Sequence, residues 1–220
     1  MTRPPIEIQT GPEPRASVVL MHGLGADGND FVPICNELDL GDVGPVRFVF
    51  PNAPVMPVTV NMGMAMPAWY DIFDLTSARR EDEAGLRRSM ASIEQLLARE
   101  KSRGVPANRI VLAGFSQGCA MALMTGLRHA ERLAGIAALS GYLPLADSTA
   151  AEQSAVNHGL PIFQAHGERD AVIPIARAIG SRDALVALGY SVEWHAYPME
   201  HSVCLEEIAD LGAWLQQVLA

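Results

Sequence analysis

The chain has 220 residues, enough for one sizeable core, and its 49% hydrophobic and 19% charged residues exclude wholesale disorder. A formal net charge of −9, with no Lys/Arg-rich run, argues against a nucleic-acid surface. No apolar stretch is long enough to span a bilayer, and the proline-rich first residues hold no apolar core of signal-peptide length, so the expected compartment is the cytoplasm.

In chain order, SVVLMHG (17–23) reads as the first strand. Phe31, Ile34, Cys35 and Leu38 then share one helical face. VRFVFPN (46–52) is the second strand. Residues 51–80 are rich in Pro and Met with no clear period, which predicts an insertion or loop, and loops of that length are usually functional. Leu86, Met90, Ile93 and Leu97 mark the next helix. RIVLAGF (109–115), AGIAALSG (134–141) and PIFQAHG (161–167) follow as strands. A helix opens after Pro174 and stops at Gly189, with proline at its start and glycine at its end. SVEWHAYP (191–198) is the sixth strand. Leu205, Ile208, Leu211, Leu215 and Leu219 form the apolar stripe of a last helix, for which Ser202 is the expected N-cap. Several strands are continuous apolar runs, as in parallel strands buried on both faces. Strand–helix alternation of this kind predicts an α/β fold: one domain over 1–220, a mainly parallel sheet with helices on both faces.

Ligands of open parallel sheets sit beyond the carboxyl ends of the strands, so partners in chemistry should follow strands. Ser116, between Gly114 and Gly118, follows the third expected strand where it turns into a helix. Asp170 follows the fifth, and His201 follows the sixth just before the last helix. That chain order matches a nucleophile elbow with its triad. A serine hydroxyl needs a neutral imidazole to take its proton, and the imidazole needs a carboxylate to fix its tautomer. The Gln117 N–H, at a helix N-terminus, and the Leu24 N–H, between Gly23 and Gly25, are the expected oxyanion donors. Glu168 competes with Asp170 for the acid; Asp170 is favoured because its loop turns into the next helix. Among the other histidines, His22 is expected to brace the Leu24 loop and His166 to be structural. His195 should face the sheet, and His129 and His158 are expected at the surface. Cys35, Cys119 and Cys204 are odd in number and lack metal-type spacing, so they read as reduced thiols.

HGLGADGNDF, the PNAP segment running to MPAWYDI, GFSQG, HGERDAVIP and the late histidine before a helix together resemble the carboxylesterase/acyl-protein thioesterase family of α/β-hydrolases, most closely its bacterial carboxylesterases. The resemblance covers nearly the whole chain in order. It implies an α/β-hydrolase without a large cap domain, and Ser116, Asp170 and His201 as the triad. It also implies Leu24 and Gln117 amides as the oxyanion hole, and no metal or organic cofactor. The implied activity is hydrolysis of acyl esters, with acyl thioesters and lysophospholipids in the same class. The partner expected is a small-molecule acyl ester or thioester; a homodimer is left open. The common family form continues GFSQGG, where this chain has Cys119, a departure that bears on the tightness of the elbow and adds a thiol beside the nucleophile. In the same comparison Met62, Met64, Met66, Trp69 and Ile72 become an expected acyl groove, since flexible Met side chains and an aromatic suit acyl chains of differing length. Asp71 and Asp74 could pair with Arg79 and Arg80. The expected function is a serine carboxylesterase acting through an acyl-enzyme; the alternative is a non-catalytic binding protein of the same fold.

Overall fold

The computed structural model describes residues 3–74 and 81–220. In chain order these form β1 (Ile6–Gln9), β2 (Ala16–Met21), a single helical turn α1 (Ile34–Glu37), β3 (Val46–Phe50), β4 (Val55–Val58) and β5 (Met64–Pro67). Then come α2 (Glu83–Ser102), β6 (Ile110–Phe115), α3 (Gln117–Gly126), β7 (Gly135–Leu139) and α4 (Ala146–Glu152). The chain ends with β8 (Pro161–Gly167), α5 (Ile175–Ala187), β9 (Ser191–Tyr197) and α6 (Leu205–Val218).

Seven strands make the main sheet in the order β1-β3-β2-β6-β7-β8-β9. All neighbours are parallel except β1, which runs antiparallel to β3. The continuous apolar runs have the cause expected of them, because alternate residues enter two separate cores. Val19 and Met21 of β2 join the core under α2, α3 and α5. Val18 and Leu20 join the opposite one, under α1 and α6. The fold class is therefore as expected.

Three elements differ from expectation. The antiparallel edge strand β1 was not anticipated; it is short and flanked by prolines. A bidentate ion pair of Glu7 with Arg103, the residue that ends α2, at 3.0 and 2.9 Å, ties it down. Within 51–80, β4 and β5 pair as a separate hairpin in place of a loop, with Met56 opposite Met66. Pro57 and Pro67 are tolerated because a two-stranded ribbon has two free edges. Ser202 does not cap the last helix: α6 begins after Cys204, with no side-chain cap, and Leu205 is 68% exposed. The rest of the expected stripe, Ile208, Leu211, Leu215 and Leu219, packs on one core, with Trp214 beside it. Phe31, Ile34, Cys35 and Leu38 do pack on one core, although only Ile34–Glu37 is helical.

Candidate active site

Ser116 lies between β6 and α3 with φ 57° and ψ −116°, a conformation that costs a non-glycine residue about 1–3 kcal/mol. The surrounding chain holds it there. Its N–H donates to the Leu139 carbonyl of β7 at 2.9 Å. A Cβ at Gly114 would come 2.1 Å from the Gly118 carbonyl oxygen, and one at Gly118 would come 2.1 Å from the Met21 carbonyl oxygen. Both glycines are thus required for α3 to leave the sheet so close to β2 and β6. Cys119 does not loosen this turn. Its side chain fills the space that a Cβ at Gly141 would take, 2.5 Å from its sulfur, and it is fully buried, with burial pushing its thiol up. A thiol reagent therefore has no path to it in the folded state.

His201 Nε2 is 3.0 Å from Ser116 Oγ, and its Nδ1 is 2.6 Å from Asp170 Oδ2. The Phe115 ring packs beside the imidazole, with centroids 4.8 Å apart and planes tilted by 44°. Asp170 Oδ1 accepts the N–H groups of Val172 and Ile173, both at 2.8 Å, which leaves Oδ2 for the histidine. The segment carrying His201 reaches this position because Gly167 has no side chain: a Cβ there would meet the Glu200 carbonyl oxygen at 2.3 Å. Glu168, the competing acid, is exposed. His166 is fully buried; its Nε2–H donates to the Ile173 carbonyl at 2.8 Å and lies 3.3 Å from Asp170 Oδ2. Burial lowers its pKa, so it stays a neutral brace under the acid.

Leu24 and Gln117 border the same cavity as Ser116, and their backbone N–H groups have no acceptor among the described residues. His22 braces the Leu24 loop, as expected. Its Nε2 accepts the Ala53 N–H at 3.1 Å, so Nδ1 carries the proton and donates to the Gly23 carbonyl at 2.7 Å. Burial lowers its pKa and keeps it neutral.

The cavity beside Ser116 and His201 has a volume of ≈ 370 Å³. Ile72 lines it together with Val60, Tyr70, Val172 and Ile173. The other expected groove residues lie elsewhere. Trp69 is buried, and its indole N–H donates to the His22 carbonyl at 2.9 Å. Met62 and Met64 are 95% and 61% exposed on the hairpin, while Met66 Sδ accepts from Asn61 Nδ2 at 3.2 Å. None of these four side chains borders the cavity among the described residues.

Sequence reasoning missed the side chain of Gln117. Its Oε1 accepts the Trp69 N–H at 3.0 Å and its Nε2 donates to the Tyr70 carbonyl at 2.8 Å, clamping the 69–70 segment to the elbow. It also missed Tyr142 and Arg177, two cavity residues that no motif marks. The only signal for Gln117 was a long polar side chain at the first, tightly packed position of an otherwise apolar helix. His129 is a correction: it is buried, with Nδ1 2.8 Å from Glu94. Asp71 accepts from the Thr59 N–H at 2.7 Å. Arg79 and Arg80, its expected partners and those of Asp74, lie outside the described residues. Among the described residues no three His, Cys, Asp or Glu side chains gather to hold a metal ion, and no helix is long and apolar enough to cross a membrane.

The sequence profile of the phospholipase/carboxylesterase family matches residues 5–219. Acyl-protein thioesterase 1 of Yarrowia lipolytica is 39% identical over 219 residues, covering 97% of this chain and 96% of that one. The protein of the same name from Mycosarcoma maydis is 41% identical over 231 residues, covering 97% and 95%. The crystal structure of Zea mays acyl-protein thioesterase 2 superposes with a TM-score of 0.86 at 27% identity, over 98% of this chain and 99% of that one. A match that runs through every strand and loop bordering Ser116 leaves one assignment: the chain belongs to the phospholipase/carboxylesterase family of α/β-hydrolases and is a serine hydrolase.

Proposed function

We propose that the protein hydrolyses acyl esters and acyl thioesters through a Ser116 acyl-enzyme. The observation that carries this reading is the unbroken hydrogen-bonded chain from Asp170 through His201, at 2.6 and 3.0 Å, to a serine held at positive φ. In the first half-reaction His201 Nε2 takes the Ser116 proton as Oγ attacks the acyl carbon. Asp170 keeps the other ring proton on Nδ1 and stabilises the imidazolium. The N–H groups of Leu24 and Gln117 are the donors for the oxyanion. The second of these stands at the N-terminus of α3, where the helix dipole favours the charge that develops. His201 then returns the proton to the leaving alcohol or thiol. In the second half-reaction it takes a proton from water, which attacks the acyl-enzyme, and gives it to Ser116 as the acid departs.

The thioester half of this proposal draws on relatives that carry the name acyl-protein thioesterase 1. An S-acylated cysteine on a protein is thus a leaving group to test beside simple alcohols. A fluorophosphonate probe tests the nucleophile directly. The folded protein should be labelled at Ser116. Ser116→Ala should keep the fold, lose the label and fall to the residual that binding and the oxyanion donors supply, about 10³–10⁴-fold over water. A folded wild-type protein that takes no label and turns over no ester or thioester would favour the non-catalytic binding alternative.

A further inference from the structure

The cavity beside Ser116 has a larger neighbour. A groove of ≈ 790 Å³ runs between α5 and the 143–148 segment, and among the described residues it shares only Tyr142 and Arg177 with the ≈ 370 Å³ cavity. Among the described residues, these two side chains are the ones that border both spaces. The Arg177 guanidinium carbon sits 3.4 Å over the Tyr142 ring centroid, and the Tyr142 hydroxyl is 3.0 Å from that of Tyr70. Tyr142 is thereby held from both sides.

Arg177 is held by this stack rather than by an ion pair. No carboxylate reaches ion-pairing distance of it among the described residues, and it stands in the first turn of α5, where the helix dipole disfavours a cation. The acids that border the cavity, Asp30 and Asp74, are on its exposed rim. Glu81, on the groove side, accepts the Leu145 N–H at 2.9 Å and feels the Arg177 charge without coming within ion-pairing distance of it. Neither an ion pair nor the helix explains a half-buried arginine at this point, but its position closes the gap between the two spaces.

We propose that the Arg177–Tyr142 stack is the end wall of the acyl cavity and sets the longest acyl chain the enzyme accepts; this rests on the hydrolase reading of Ser116. The cavity is also lined by Val60, Ile72, Val172 and Ile173, which suit a hydrocarbon chain. A chain that reaches Arg177 meets a charge it cannot solvate, and pushing the guanidinium aside would leave it against hydrocarbon. Beyond the wall, Leu143, Leu145 and Ala184 of the groove would receive a longer chain once the arginine is gone.

The test is kcat/KM for p-nitrophenyl esters of increasing acyl length in wild type, Arg177→Ala, Gly180→Trp and the double variant. Gly180 lines only the outer groove, and a Cβ there meets nothing within 4 Å, so the indole has room to fill that space. In wild type kcat/KM should climb about fourfold per methylene and then break off. In Arg177→Ala the break should move to longer esters, so that the ester two methylenes past the wild-type limit gains roughly tenfold or more. Gly180→Trp alone should keep the wild-type profile, and in the double variant it should bring the break back. A break at the same length in wild type and Arg177→Ala would overturn the proposal. So would a shift that survives Gly180→Trp, or a single Gly180→Trp that changes the wild-type limit. A wild-type protein inactive on every ester and unlabelled at Ser116 would overturn the hydrolase reading beneath it, whereas labelled, active protein with an unmoved break overturns the wall alone.

Discussion

At the scale of single residues, two acids two positions apart have opposite environments. Asp170 has no exposed side-chain surface, and both its oxygens are engaged, Oδ1 by two backbone N–H groups and Oδ2 by His201. Glu168 is exposed, and among the described residues its side chain has no partner, while its N–H donates to the Tyr197 carbonyl. The longer arm of Glu168 is no advantage, because the turn from β8 directs the chain so that the shorter side chain enters the site. Asp170→Asn retains shape but offers His201 an amide in place of a carboxylate, which favours the wrong imidazole tautomer. It should cost on the order of 10⁴ in kcat, while Glu168→Gln should stay close to wild type. Both variants are to be assayed on one ester, with circular dichroism to confirm folding. A Glu168→Gln variant that loses more activity than Asp170→Asn would reassign the acid.

At the scale of elements, the site depends on how the hairpin segment is fastened to the elbow. Gln117 makes that attachment with both ends of its amide, and the backbone groups it satisfies on Trp69 and Tyr70 are in a buried stretch. Gln117→Ala keeps the backbone N–H but leaves a buried donor and a buried acceptor without partners, each worth about 1–3 kcal/mol. Urea unfolding of this variant should show a loss of at least about 2 kcal/mol, and a loss within experimental error would show that the clamp contributes nothing. The sheet strands were legible because β2, β3, β6 and β7 are buried on both faces and read as unbroken apolar runs. The hairpin was not, because β4 and β5 carry prolines and exposed residues and bury no continuous face. Trp69 was legible as a large apolar group near the site but not as a structural one. Its indole partner is the carbonyl of His22, and nothing in a single sequence shows that two such distant positions will meet. Tyr142 and Arg177 were invisible for the same reason, since each comes from a different loop or helix and neither belongs to a motif.

At the scale of the whole molecule, parallel strands bring positions 24, 72, 116, 142, 177 and 201 to one edge of the sheet, and α6 closes the opposite face. That helix carries an unusual group. Glu207 is completely buried, and neither carboxyl oxygen has a hydrogen-bond partner among the described residues. Burial pushes its pKa up to about 8, with the nearby Cys204 backbone N–H opposing the shift. In the unfolded chain the same carboxyl titrates near its ordinary value of 4.5. Between those two values the native state keeps a proton that the unfolded chain has lost, so stability must fall as pH rises. The slope from this group is at most about 1.4 kcal/mol per pH unit. The contribution is fully present below the unfolded value and is lost as pH climbs through about 8. Glu207→Gln removes the ionisable group while keeping its shape. Its stability relative to wild type should therefore rise steadily from pH 5 to pH 8, as measured by urea titrations of both proteins across that range. Equal differences at both ends would mean that Glu207 ionises in the folded protein as easily as in water, and that α6 is wetter around it than its burial indicates.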